Sequence, residues 1–242
     1  MSNIVYWADF SQDGYFLNIK QPQKIINKNE FNNLPDLQNF FRCPAFLQTC
    51  KTTFNVLSPI DYDLHMGDDN FYSTSLNQEF FEKNVIGRSL EYRMATLLFA
   101  KYIFFTESES CTMSYGDAYY SNSNFTKNAS VMCGQFDIAK WFRPTDLSFF
   151  FKEKNGGFFI KENDPLFSVT FNFGNTKPVI FKKFIMTEKL FKYSNYVMGL
   201  KYHGFDTNKY KITEFFYEMY KIFNESKIKH LILKEIKNNL ME

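Results

Sequence analysis

Two short stretches of this chain bring together side-chain types that do chemistry. In Ser58-Pro-Ile-Asp61-Tyr-Asp63-Leu-His65, two carboxylates and an imidazole alternate with other residues. Successive side chains of an extended strand point to opposite faces, so Asp61, Asp63 and His65 fall on one face. Such a set, with Asp68 and Asp69 nearby, suits Mg²⁺, iron or Zn²⁺. The same spacing also describes a solvated acidic rim, because no second histidine stands close enough in sequence to complete a familiar ligand set.

The second stretch is Gly134-Gln-Phe-Asp137, followed by Lys140, Trp141, Arg143 and Pro144. A carboxylate beside a glycine turn and a guanidinium can orient a polar ligand or activate water. Asp137 is the candidate catalytic carboxylate, and Gly134, Trp141 and Arg143 are the candidate ligand contacts. In the structural alternative Asp137 caps a turn, Trp141 fills core and Arg143 pairs at the surface. The glycine spacing is not that of a P-loop or a dinucleotide fingerprint. Cys133 precedes Gly134, but His203 and His230 lie far downstream, so a buried thiol is a simpler reading than a Cys/His nucleophilic pair.

The elements that must position these residues read mainly as strands. Ile4, Tyr6 and Phe10 mark an opening strand. Leu37, Phe40, Phe41, Phe46 and Leu47 suit helical turns broken near Pro44, and residues 20 to 36 are a polar excursion. Thr52–Leu57 and Tyr62–Met66 are extended pieces joined at Pro59, Gly67-Asp-Asp-Asn is a turn, and Leu97–Phe105 is a buried apolar run. Residues 115 to 128 read as a polar loop.

Beyond the loop, Val131–Ile138, Leu147–Glu153, Phe158–Lys161, Leu166–Phe173 and Val179–Ile185 are strands separated by turn-forming residues. In Phe167-Ser-Val-Thr-Phe-Asn-Phe the apolar residues share one face while Ser168, Thr170 and Asn172 share a wet one. Thr187-Glu188 then caps a helix to about Gly199, and Thr213 opens a second helical run to Leu240. The expected fold is therefore mainly β (α+β), an antiparallel β-sandwich or barrel-like core with a helical C-terminal region. Residues 1–186 form the β-rich domain, and 187–242 are a helical extension packed on the same domain.

Composition narrows the function classes. The chain has 242 residues, 45% hydrophobic and 20% aromatic, which is enough apolar mass for one large core. With 28 basic against 26 acidic residues there is no global field toward nucleic acid or an acidic membrane, and only four basic residues are arginine. The 31 Phe and 15 Tyr are what a large aromatic core requires, so they give no strong nucleic-acid signal. Four cysteines do not make a disulfide framework. No signal peptide or spanning helix is expected, which points to a cytoplasmic or virion location without membrane association. The sequence specifies no cofactor, and it leaves enzyme or non-enzyme open.

Arg42-Cys-Pro-Ala, Ser58-Pro-Ile-Asp-Tyr-Asp, Gly134-Gln-Phe-Asp, Trp141-Phe-Arg-Pro and Ile160-Lys-Glu-Asn-Asp-Pro-Leu-Phe appear in that order. The order resembles an uncharacterised family of β-rich proteins with members in tailed phages of marine bacteria, over residues 40 to 185. That resemblance implies a β fold and a phage or bacterial setting, and it carries no catalytic residues. A second resemblance is to dUTPase-like trimers, through Gly134-Gln-Phe-Asp137 and Asn163-Asp164-Pro-Leu; it implies that Asp137 orients water. The chain departs from that pattern in having Trp141 where a tyrosine region is usual and Asn163 where glycine is usual. The reading favoured by these features is a non-enzymatic phage protein of binding or assembly role, with a protein partner or self-association. The alternatives are a dUTPase-like nucleotide-phosphate hydrolase and a metal-binding β-domain enzyme.

Overall fold

The computed structural model describes residues 2–10, 17, 19–26, 43–118, 120–203 and 227–241. The residues assigned to helical turns before Cys43, most of the polar excursion and Thr213 to Ser226 lie outside them. The described residues form a mixed α+β fold with three β-sheets, none closed into a barrel, and C-terminal helices.

The six-stranded first sheet is built on β7 (Met94–Phe105), whose twelve residues span about 40 Å at a strand's rise. One edge of β7 pairs with β11 (Pro144–Phe151), which in turn pairs with β9 (Ala129–Val131). The other edge is shared end to end by β6 (Val85–Ser89) and β1 (Asn3–Asp9). On the far side of β1 lies β14 (Val179–Lys183), and this pair is parallel, so the sheet is not wholly antiparallel.

The second sheet runs β10 (Gly134–Asp137), β8 (Thr112–Asp117), β13 (Pro165–Asn172), β3 (Thr53–Leu57) and β2 (Gln23–Lys24), all antiparallel. The third is a small meander of β12 (Gly157–Ile160), β4 (Tyr62–Met66) and β5 (Phe71–Tyr72).

Strand alternation makes the first sheet the middle layer. Val5 and Trp7 of β1 join one core with Phe54, Leu64, Phe158 and Phe171 from the other two sheets. Tyr6 and Ala8 point the opposite way, into a second core with Leu190, Val197, Ile232 and Ile236 of the C-terminal helices α4 (Glu188–His203) and α5 (Ile228–Asn238). The Phe104 and Phe171 ring centroids, 5.5 Å apart at 71°, meet edge to face across the first core. On β7 the inward face changes parity midway. Leu97 and Phe99 face the first core, and so do Tyr102 and Phe104, while Ile103 and Phe105 face the helices. The pairing to β11 is interrupted over the same stretch.

Three shorter helices complete the chain. Pro44 opens α1 (Pro44–Thr52), where its missing N–H costs nothing. The Asn77 side chain caps α2 (Gln78–Asn84) by accepting from Phe80 N–H at 2.8 Å. Ser123 caps α3 (Asn124–Asn128) in the same way, so part of the expected 115–128 loop is helix, and Tyr115 to Asp117 belong to β8. The expected strand Val131–Ile138 is two strands in different sheets, broken at Met132 and Cys133. Thr187 caps α4 by accepting from Leu190 N–H at 3.2 Å. Among the described residues no helix is long and apolar enough to cross a membrane.

Candidate functional site

Strand β4 brings Asp63 and His65 together as its alternation requires. His65 Nε2 lies 2.7 Å from Asp63 Oδ2, and Tyr72 stacks on the imidazole at 5.2 Å between ring centroids. Asp63 is only 6% exposed, and its carboxylate is filled by the loop Ser73-Thr74-Ser75. Ser73 Oγ, Ser75 N–H and Ser75 Oγ donate to Oδ1, Thr74 Oγ1 donates to Oδ2, and Thr74 N–H is shared between both oxygens. Burial alone would raise its pKa, but the hydroxyl and backbone donors of Ser75 and Thr74 outweigh burial and hold the carboxyl well below the usual range. Asp61 is not part of this group: its Oδ1 accepts from Glu162 N–H. Among the described residues no three His, Cys, Asp or Glu side chains gather as a group able to hold a metal.

The stretch from Gly134 to Arg143 also separates into distinct contacts. Asp137 Oδ1 accepts from Cys111 N–H at 3.0 Å and from Ala139 N–H at 2.9 Å, while Oδ2 lies 3.2 Å from Lys140 Nζ. These bonds organise the turn that ends β10 and tie it to the start of β8. Arg143 lies over the Trp141 ring, 5.1 Å from its centroid. Gly134 faces the Tyr115 ring so closely that a Cβ would stand 2.7 Å from the phenol oxygen. Burial raises the Tyr115 phenol pKa, an effect that Arg143 partly offsets. Cys111 is buried, which together with the charge of Asp137 pushes its thiol up to about 12 and leaves it unsuited to act as a nucleophile.

Of these residues Gly134 and Tyr115 line a sizeable cavity. A groove of about 730 Å³ lies on the outer face of the second sheet, lined by residues of β8, β10 and β13 and by the segment after β8. Strand register orders this face of the sheet, whose Ser114, Gln135, Thr170, Gly116, Ser168 and Cys133 line the groove while Thr53 and Asn55 lie buried beside it. Gln135, Ser114, Thr170 and Thr53 stand side by side on four neighbouring strands; Gly116, Ser168 and Asn55 form the adjacent row, with Cys133 at its end. Within the rows, Ser168 Oγ donates to Asn55 Oδ1 at 2.7 Å and the Thr53 and Thr170 hydroxyls are 2.9 Å apart. The rim carries Tyr120, braced edge-on by Phe46 of α1 at 5.3 Å, and Asp117, whose Oδ1 accepts from Val131 N–H at 2.5 Å.

Ser114, Gly116, Asp117, Tyr120 and Thr170 are not among the residues singled out from sequence as contacts. The signal that was present is the polar face of β13. What sequence lacked is the register that sets that face beside Ser114 and Gly116. Comparison of the chain with protein-family models, with curated proteins and with solved structures finds no match.

Proposed function

We propose that this chain is a non-enzymatic binding or assembly protein, of the phage type its motif order resembles, and that the outer face of the second sheet is its binding surface. The observation that carries this reading is the groove itself: a broad concavity on the outer face of the second sheet, open to solvent, with no imidazole among the described residues that line it. The two carboxylates that would serve a hydrolase are both occupied in building the fold, Asp63 by the Ser73–Ser75 loop and Asp137 by its own turn. The scaffold is a sandwich-like stacking of the first and second sheets, with the C-terminal helices behind it. This keeps the groove face fixed while a partner docks.

The test uses Cys133, an exposed thiol at the groove. In a background with Cys43 and Cys50 replaced by serine, a bound virion or host component slows alkylation of Cys133, and Gly116→Val, which fills the floor, abolishes that protection. Binding that leaves Cys133 reactivity and the Gly116→Val variant unaffected places the surface elsewhere. A monomer that binds no virion or host component refutes the function.

A further inference from the structure

We propose that a second cavity binds a free α-amino acid with an apolar side chain, its carboxylate on Arg88, its ammonium on Asp69 and its side chain against Phe81 and Leu90. The cavity measures about 360 Å³, toward the lower end of the roughly 300–1,000 Å³ typical of small-molecule sites. It lies between the turn before β5, helix α2 and strand β6, and it shares no lining residue with the groove on the second sheet. The site therefore stands independently of the binding-surface reading.

Two charges carry the inference. Strand β6 pairs Gly87 with Ala95 and then Ser89 with Met94, so Arg88 is the extra residue of a β-bulge. A bulge bends its strand and re-aims a side chain. Arg88 Nε donates to Thr96 Oγ1 at 3.0 Å, and Thr96 is buried, its hydroxyl 2.8 Å from Ser148 Oγ. The guanidinium is thereby anchored at Nε, while its Nη groups have no acceptor among the described residues. A planar fork with free N–H groups is the donor set that recognises a carboxylate.

Asp69 makes no hydrogen bond or ion pair among the described residues, with Arg88 or with any other group. A lone anion in the cavity would sit near the Asp69 carboxylate, and a lone cation near the Arg88 guanidinium. Opposite charges that line one cavity without pairing suit a ligand that carries both, because each then gains a charge-assisted hydrogen bond.

The remaining walls set the body of the ligand. Val85 is buried, and Phe71, Phe81 and Leu90 are partly buried against the first core. Phe71 is fixed by stacking on Phe151 at 5.8 Å and by Gly87, where a Cβ would stand 2.7 Å from its ring. Such walls favour an aliphatic or aromatic side chain that leaves water to contact them. Asn70 and Ser89, next in sequence to the two charged residues, add neutral polar groups to the lining.

Isothermal titration calorimetry of the intact chain with leucine, methionine and phenylalanine tests the site. N-acetyl-leucine removes the ammonium, leucinamide removes the carboxylate, N-acetyl-leucinamide keeps only the side chain, and phosphocholine is a zwitterion without an apolar body. The expected result is that at least one of the amino acids binds and that each of these controls binds about tenfold more weakly or worse. Asp69→Asn and Arg88→Gln each lower the affinity for that amino acid about tenfold or more. Arg88→Gln also removes the bond to Thr96, whereas Asp69→Asn removes no bond among the described residues, so the asparagine variant decides if the glutamine variant does not fold.

Failure of all three amino acids to bind overturns the proposal, and so does a control that binds as tightly as they do. Amino-acid binding that either substitution leaves unchanged in a folded chain overturns it as well, because the ligand then lies elsewhere.

Discussion

Asp63 and His65 form a closed pair, with Nε2 of the imidazole 2.7 Å from Oδ2 of a carboxylate that the Ser73–Ser75 loop has already surrounded with donors. Because an ionised carboxylate only accepts, Nε2 carries the proton. The arrangement pins β5 and the loop after it to β4, and it predicts stability effects rather than catalytic ones.

Asp63→Ala removes the acceptor for all of these donors at once and leaves them in a site that is almost fully buried. A charged hydrogen bond contributes about 1.5–3 kcal/mol, so the expected loss is roughly 2–4 kcal/mol in urea unfolding. A loss within experimental error would mean that the loop holds itself.

The acid limb of stability follows from the same carboxylate. Its folded pKa lies well below the value of about 3.9 in the unfolded chain. The stabilisation is therefore fully present above that value. As pH falls through it, the unfolded chain takes up a proton that the folded chain refuses, and stability declines. Asp63→Asn is expected to flatten the decline between roughly pH 4 and pH 2, measured as the urea midpoint against pH. An unchanged slope would assign the acid sensitivity to other carboxylates.

Gly157 stands opposite His65 in the β4–β12 pair, where a Cβ would collide with Nδ1 of the imidazole. The imidazole cannot retreat, being stacked on Tyr72 and bonded to Asp63. Gly157→Ala should cost about 1–3 kcal/mol, and His65→Ala should recover part of that cost when the two are combined. Additive single-variant costs would show that the strand, rather than the ring, limits the space.

Period-two patterning exposed β13 in the sequence, because Phe167, Val169 and Phe171 face one core while Ser168 and Thr170 take the opposite face, although that face is not wet at Ser168, which is buried against Asn55. The same rule placed Asp63 beside His65. It failed for Asp61, which sits just before β4 and is bonded to Glu162 N–H. It also could not foresee the parity change in β7, where both Phe99 and Tyr102 face the same core. The groove was not legible for a different reason. Ser114, Gly116, Ser168 and Thr170 are unremarkable singly, and only the pairing of β8 with β13 aligns them.

Asp137 is expected to behave as a turn residue. Asp137→Ala strips the acceptor from Cys111 and Ala139 N–H and should cost about 1–2 kcal/mol, while Asp137→Asn, which keeps an acceptor oxygen, should cost less. Neither the wild type nor Asp137→Asn is expected to hydrolyse any member of a nucleotide-phosphate panel. Turnover in the wild type that disappears in Asp137→Asn would restore the dUTPase-like alternative.

The Thr53–Thr170 pair separates fold from binding. Thr170→Val removes the hydrogen-bond partner that the described residues give the fully buried Thr53 hydroxyl, so it should cost about 1–3 kcal/mol. Adding Thr53→Val replaces both hydroxyls by methyl groups of similar shape, and the double variant should recover most of the loss, because no buried donor then remains unpaired. Its groove nonetheless lacks the hydroxyl that Thr170 presents. Chemical unfolding of the two single variants and the double variant reads the first effect, and binding of a virion or host component to the double variant reads the second. A double variant as unstable as the sum of its parts would show that the pair contributes through packing, not through its hydrogen bond. One that is stable and still binds a virion or host component at full affinity would remove Thr170 from the binding surface.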